Sequence, residues 1–331
     1  MRIINILPDL FNTFRKKLLL ILFAVTLAVI SVPSMNAYAQ DEHGNNPNED
    51  KVEQHQEGTS KVEHEEEEDK LDIIEKITDH DYVDFYFLGK LALPKIPAIH
   101  LGGLTIDLSP TKMTFMMVVA SILLIIVMTS AARINSKNKA PKGLGNLVEV
   151  LVVFVRDDIV VPNMGKSGLP LLPFFLTLFF FIMFCNLLGL IPFFVQPTKN
   201  INVTASLAII TFVLTQIKGM QKNGVGGYLK GLIPPGIPVF VLPIMILVEF
   251  IGLFTKPFSL LMRLFANITA GSIIILSLIG LIFILSYAGA VIAVPFALFI
   301  YCLEIFIALL QAYIFTMLAT LYVNMAMHQD H

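Results

Sequence analysis

The sequence predicts an all-α polytopic membrane protein: one N-terminal span, an interfacial helix and four further helices, preceded by a small extramembrane N-terminal region. Three observations predict it. Hydrophobic residues fill 56% of the 331 positions and charged residues only 15%, with a mean hydropathy of +0.76, far from the mix of a soluble domain. Apolar runs long enough to cross a bilayer recur from Met113 onward. Lysine and arginine gather in alternate loops. The net charge of -2 excludes a nucleic-acid partner recruited by global basicity. Cys185 and Cys302, the two cysteines, lie in apolar runs, so neither a disulfide framework nor a CxxC metal site is available.

Residues 1–40 read as an export signal. Arg15, Lys16 and Lys17 precede the apolar stretch Leu18 to Ile30, and Ala37-Tyr38-Ala39 supplies a small-residue cleavage site near Gln40. Cleavage there places the mature N-terminus outside the cytoplasm. Residues 41–70 form an acidic segment with the run Glu65-Glu66-Glu67-Glu68-Asp69 and too few apolar residues to fold alone, so disorder is expected. His43, His55 and His64 lie among its carboxylates without a spacing that closes a metal site. Residues 71–110 carry aromatic and β-branched residues punctuated by Pro94, Pro97 and Gly102-Gly103, which predicts an extramembrane cap of short elements.

The membrane-embedded region takes in residues 111–331. Its first span runs from Met113 to Ala132 and ends in a loop carrying Arg133, Lys137, Lys139 and Lys142, which assigns that loop to the cytoplasm and agrees with an external N-terminus. Leu144 to Val161 is apolar but interrupted by Glu149, Arg156, Asp157 and Asp158, the pattern of a helix lying along the interface. Gly165-Lys166-Ser167 resembles the end of a phosphate-binding loop, but Val160 stands where its first glycine belongs, and ATP binding is rejected. Leu171 to Val195 is the next span, and Ile201 to Ile217 returns to a Gly-rich loop with Lys218, Lys222 and Lys230.

From Leu232 to Met327 only Glu249, Lys256, Arg263 and Glu304 are charged. Each costs about 2.5–3.5 kcal/mol near the bilayer centre on insertion scales, so such residues point to function. Glu249, Lys256 and Arg263 are spaced by seven and share a helix face; Asn267 follows Arg263 at i+4, and Thr269 and Ser272 continue the polar character. Pro257 kinks or interrupts that helix. Glu304 and Gln311 are again seven apart. Two polar-striped apolar helices suggest a hairpin whose stripes line a hydrated path or face a partner. No basic loop decides whether Leu232 to Ser286 crosses once or twice, so the side of the C-terminus stays open on charge alone.

The stretch Leu261-Met262-Arg263-Leu264-Phe265-Ala266-Asn267-Ile268-Thr269-Ala270-Gly271 resembles the signature of subunit a of the rotary F-type ATP synthase. Leu310-Gln311-Ala312-Tyr313-Ile314-Phe315 is similar to that family's last-helix motif. Asn186-Leu187-Leu188 and Asn202-Val203-Thr204 resemble its middle helices, and Glu249 and Lys256-Pro257 fit the segment before the arginine. The resemblance covers roughly residues 111 to 331.

It implies a proton-translocating stator subunit, non-catalytic alone, without cofactor or metal, in which the last two helices form a long tilted hairpin around a c-ring of proteolipid subunits. It also implies subunit b of the peripheral stalk as a partner, a bacterial inner membrane location and a cytoplasmic C-terminus. Two half-channels would open to opposite sides, with Arg263 between them holding an arriving c-ring carboxylate ionised. Asn267 and Gln311 would orient the guanidinium, Glu304 would relay protons on the N-terminal side and Glu249 would serve the cytoplasmic exit. The chain departs from the family at Ser272, where an ionisable residue is usual; a hydroxyl can neither take up nor release a proton near neutral pH, so the relay there must lean on Glu304 and ordered water. The other reading, an independent ion-coupled secondary transporter, calls for an internal repeat that the sequence does not show. The coupling ion, proton or sodium, is selected by the ring.

Overall fold

The computed structural model describes residues 13, 16, 17, 19 and 20, four short strands between 82 and 106, and residues 112–328 apart from 138–142, 192–193, 232–237 and 239. The strands and residues 282–289 are described as backbone only. The expected acidic segment 41–70 lies outside the described residues, as does most of the expected signal peptide 1–40, whose five described residues are helical. Within the expected cap, β1 (Tyr82–Phe85) pairs antiparallel with β2 (Gly89–Ala92), and β3 (Ile99–Leu101) with β4 (Leu104–Ile106). The register Tyr82 with Ala92 and Ile99 with Ile106 makes two separate hairpins. The chain divides into two compact units. One holds Met113–Thr269 and Leu303–His331, together with the first residues; the other holds the hairpins and Ala270–Cys302.

Five helical stretches are long and apolar enough to cross a membrane: Lys112–Asn135, Leu144–Leu188, Ile201–Gly231, Leu242–Leu281 and Ala290–Met327. The chain is therefore a multi-pass membrane protein. Helix α1 (Lys112–Lys137) ends where Asn135 Nδ2 donates to Gly145 O and to Glu149 Oε2, both at 3.1 Å, on α2 (Leu144–Phe154). That bond gives Glu149 a partner inside an apolar stretch. Helix α2 buries Gly145, Val148 and Val152 on one side and exposes Leu144, Leu147 and Val150 on the other. The path does not stop at Val161 as the sequence suggests. It continues through a π-helical stretch (Val155–Val160), one α-turn (Val161–Met164) and a 3-10 stretch (Gly165–Leu171) into α3 (Leu172–Leu188). Pro162, Pro170 and Pro173 withhold three amide donors along this path, which favours changes of helical register.

Helix α3 is apolar on every side and buried without a break from Leu172 to Met183, as such a helix must be when it forms the centre of a bundle. Its aromatic side chains pack edge-to-face, Phe174 on Phe175 at 5.5 Å and Phe179 on Phe180 at 5.4 Å. Two buried hydroxyls are satisfied within their own helices, Thr177 Oγ1 donating to Pro173 O at 2.7 Å and Thr211 Oγ1 to Leu207 O at 2.9 Å. Helix α3 ends seven residues earlier than the sequence span, at Leu188. Helix α4 (Ile201–Gly231) runs fourteen residues further than the expected Ile217. The Gly-rich segment is thus helical, with one break at Gly224, whose φ of 70° only glycine adopts without strain.

The last helix, α5, is continuous from Leu242 to Met327 and passes through Pro257 without a break. It cannot be straight. Forty-four residues of straight helix would separate Asn267 from Gln311 by about 66 Å, yet Asn267 Nδ2 donates to Gln311 Oε1 at 3.3 Å. The chain therefore reverses between them, and the halfway point is residue 289. The apolar stretches Leu242–Leu281 and Ala290–Met327 are the first and second arms, and the Asn267–Gln311 bond joins the polar stripe of one to that of the other. At the far end of the second arm, Asn223 Nδ2 of α4 donates to Ala326 O at 3.1 Å and Lys222 Nζ donates to His328 Nε2 at 2.6 Å, so the two helices finish together.

Candidate functional site

The first arm of α5 turns Leu260, Leu264 and Ile268 into the core at 2%, 0% and 5% exposure, a four-residue repeat that fixes the arm's rotation. That rotation leaves Arg263 half-buried and Asn267 exposed on the flank. On the second arm Ala308, Ala312, Phe315, Ala319 and Val323 form the buried stripe. Gln311 stands beside it at 1% exposure. Its Oε1 accepts from Asn267, while its Nε2 is buried with no hydrogen-bond partner among the described residues. The arginine and glutamine motifs thus meet through Asn267, one turn from Arg263. Among the described residues no carboxylate pairs with Arg263, whereas Arg156 pairs with Asp157 at 2.7 Å. A half-buried guanidinium without a counter-ion is costly unless another chain supplies one.

Glu304 lies seven residues before Gln311, about 10 Å along the helix axis. It is half-buried, and its Oε1 is buried without a hydrogen-bond partner among the described residues. One turn later on the same face, Ala308 O accepts from Asn186 Nδ2 of α3 at 3.5 Å. Asn186 is the hub of this corner: its Oδ1 accepts from Thr198 Oγ1 at 2.8 Å and its backbone O from Gln196 Nε2 at 3.2 Å. Those bonds hold the 3-10 turn Pro197–Lys199 against α3. The approach requires Gly189, because a Cβ there would lie 2.7 Å from the Gln196 Cα. Lys199 therefore sits at the end of a pinned turn. Burial holds its ammonium below the usual lysine range, and the Glu304 carboxylate opposes that shift. Replacing Asn186 with Leu strands buried polar partners and should cost about 1–3 kcal/mol. A lower Tm for unfolding of the purified chain is the expected result.

Glu249 occupies the other end of the first arm, fourteen residues or about 21 Å from Arg263. It lines a cavity of about 180 Å³ with Lys256, Thr211, Thr215, Gln216 and Tyr228, and Met325 and Ala326 also line it. Tyr228 Oη donates to Gln216 Oε1 at 2.6 Å within it. The seven-residue spacing of Glu249, Lys256 and Arg263 thus leads from this polar cavity toward the Asn267–Gln311 bond. Ser272 is buried and belongs to the second unit.

Lys199, Tyr228 and Gln216 are additions that sequence reasoning missed. Lys199 carries one legible signal: it is a lysine in a connection that the alternation of basic loops assigns to the non-cytoplasmic side. Tyr228 and Gln216 carry none, since their bond spans a break inside α4.

The sequence matches the model of a family described as "ATP synthase A chain" over residues 113–324. It is 48% identical over 268 residues to "ATP synthase subunit a" of Chloroherpeton thalassium, covering 80% of this chain and 79% of the relative. It is 46% identical over 264 residues to "ATP synthase subunit a 2" of Chlorobaculum tepidum, covering 78% and 73%. To "ATP synthase subunit a" of Myxococcus xanthus it is 46% identical over 245 residues, covering 72% and 80%. The matched span contains the arginine of the first arm, the glutamine of the second and the bond between the arms, and the chain belongs to the ATP synthase A chain family.

Proposed function

We propose that this chain is the proton-translocating stator subunit of an F-type ATP synthase, passing protons to and from c-ring carboxylates through two half-channels separated by Arg263. The observation that carries the reading is Arg263, half-buried one turn from the Asn267–Gln311 bond with no carboxylate paired to it among the described residues. A carboxylate on a passing proteolipid subunit completes the pair. The guanidinium keeps that carboxylate ionised as it passes, and because it does not surrender its proton it blocks a direct hop between the channels. Glu304 and Glu249 flank this level from opposite ends of the hairpin, which suits one relay on each side. Glu304 delivers protons from the side of the mature N-terminus, and Glu249, at the cavity with Tyr228 and Gln216, hands them to the cytoplasm. The exposed arms, with Phe250, Phe254 and Phe258 on the first and Phe296, Phe299 and Phe306 on the second, offer apolar surface for the ring and for lipid.

The sidedness follows from the basic loops. The segment after α1 and the end of α4 carry the lysines and face the cytoplasm. The C-terminus, bonded to α4 at Asn223 and Lys222, is cytoplasmic with them. The membrane is the bacterial inner membrane, and subunit b of the peripheral stalk holds the chain static. Affinity purification from mild detergent tests the assignment, with a ring of small proteolipids retained on the tagged chain as the expected result. A chain that transports an ion in liposomes without such a ring favours the secondary transporter instead.

The acidic segment makes a smaller prediction. Deleting residues 41–70 while keeping the export signal should leave ATP-driven acidification of inverted vesicles within about twofold of the parent, because a sequence so acidic and so poor in apolar residues has little surface to bury. Lost flux in a correctly inserted, assembled deletion would place that segment at the mouth of the uptake channel.

A further inference from the structure

Lys199 is a described cation whose ammonium is within electrostatic reach of the Glu304 carboxylate, and its position is built. It ends the turn Pro197–Lys199, which Thr198 and Gln196 fasten to Asn186, and Asn186 in turn donates to Ala308 O, one helical turn from Glu304. Two hydrogen-bonded steps therefore tie the lysine's turn to the carboxylate's turn. Glu304 Oε1 is buried with no hydrogen-bond partner among the described residues, so its ionised form lacks the donors that normally stabilise a carboxylate out of water. An ammonium within electrostatic reach favours that form.

We propose that Lys199 is a positioning residue for the relay: its ammonium, held by the Asn186 clamp, stabilises ionised Glu304 and so sets the pH at which Glu304 releases its proton toward the ring. The inference rests on the relay role of Glu304 given above. Among the described residues, the other titratable groups on α3 and on Glu304's own arm near this level are Cys185, Tyr301, Cys302 and Tyr313, none of which can be a cation. Arg263 on the first arm lies about 16 Å away along the axis, counting four residues to Asn267 and seven from Gln311 to Glu304. Without Lys199, Glu304 holds its proton to higher pH.

The test uses the assembled complex with K199M, K199Q, K199R and E304Q variants. Carbodiimide reacts with protonated carboxyls, so the pH at which Glu304 labelling falls by half, mapped by peptide mass, reports its protonation directly and independently of flux. The expected result is a midpoint about one pH unit higher in K199M and K199Q, with K199R at the parent value. Proton flux through the reconstituted membrane sector should move its pH profile in the same direction, and K199M should shift nothing further in the E304Q background. A parent midpoint in both neutral variants overturns the proposal, even if their flux falls uniformly, since that is the mark of a structural lysine. Parent flux in E304Q overturns the relay role itself.

Discussion

Arg263→Ala is expected to abolish ATP-driven acidification of inverted vesicles, a fall on the order of 10²-fold or more, while leaving membrane insertion and assembly intact. The arginine is half-buried on the flank, outside the stripe of Leu260, Leu264 and Ile268 that packs the arm, so its removal takes away charge with little packing. Arg263→Lys should fail as well. An ammonium presents a point charge in place of a planar fork, and when desolvated it surrenders its proton, which opens the direct hop that the arginine blocks. The two variants separate charge from chemistry, because Lys restores the first alone. Near-parent acidification by Arg263→Ala, with the complex assembled, removes Arg263 from the mechanism.

Glu304→Gln is the second large effect, a slowing of proton uptake on the order of 10²-fold at every pH, as for the loss of a general acid–base group. The substitution keeps the shape and hydrogen-bonding size of the side chain, so packing on the second arm is conserved and the Asn267–Gln311 bond is left in place. No other carboxylate is available to replace it on this arm, where Glu304 is the one charged residue between Arg263 and Met327. Stopped-flow acidification with equal amounts of assembled complex measures the effect. Parent rates in Glu304→Gln would route uptake elsewhere and leave the carboxylate a structural group.

The hairpin and its stripes were legible because charge in an apolar helix is expensive. Glu249, Lys256, Arg263, Glu304 and Gln311 stand out at seven-residue spacing against a background that tolerates nothing polar without reason. The Asn186 corner was not legible, because its bonds join Thr198 to a residue twelve positions away and Asn186 to one 122 positions away, and pairing at such separation leaves no periodicity. The extension of α4 ran against local sequence: Gly224, Gly226 and Gly227 argue for a loop, and tertiary burial of Tyr228 overrides them, with Gly224 taking the break. The π-helical stretch Val155–Val160 likewise reads as one end of an ordinary amphipathic helix, since a single change of hydrogen-bond register is invisible in residue type.

The central claim is that water reaches the two ends of the hairpin from opposite faces of the membrane and that Arg263 stands between. Side-specific thiol labelling tests it most directly, in complexes where Cys185 and Cys302 are replaced by alanine and a single cysteine is introduced at Thr198 or at Thr215. Thr198 lies beside Lys199 in the Asn186 corner, and Thr215 lines the cavity of Glu249. A membrane-impermeant reagent should modify Thr198→Cys only from the side of the mature N-terminus and Thr215→Cys only from the cytoplasmic side. Reaction of both from one face, or of neither from either, would contradict the two-channel account.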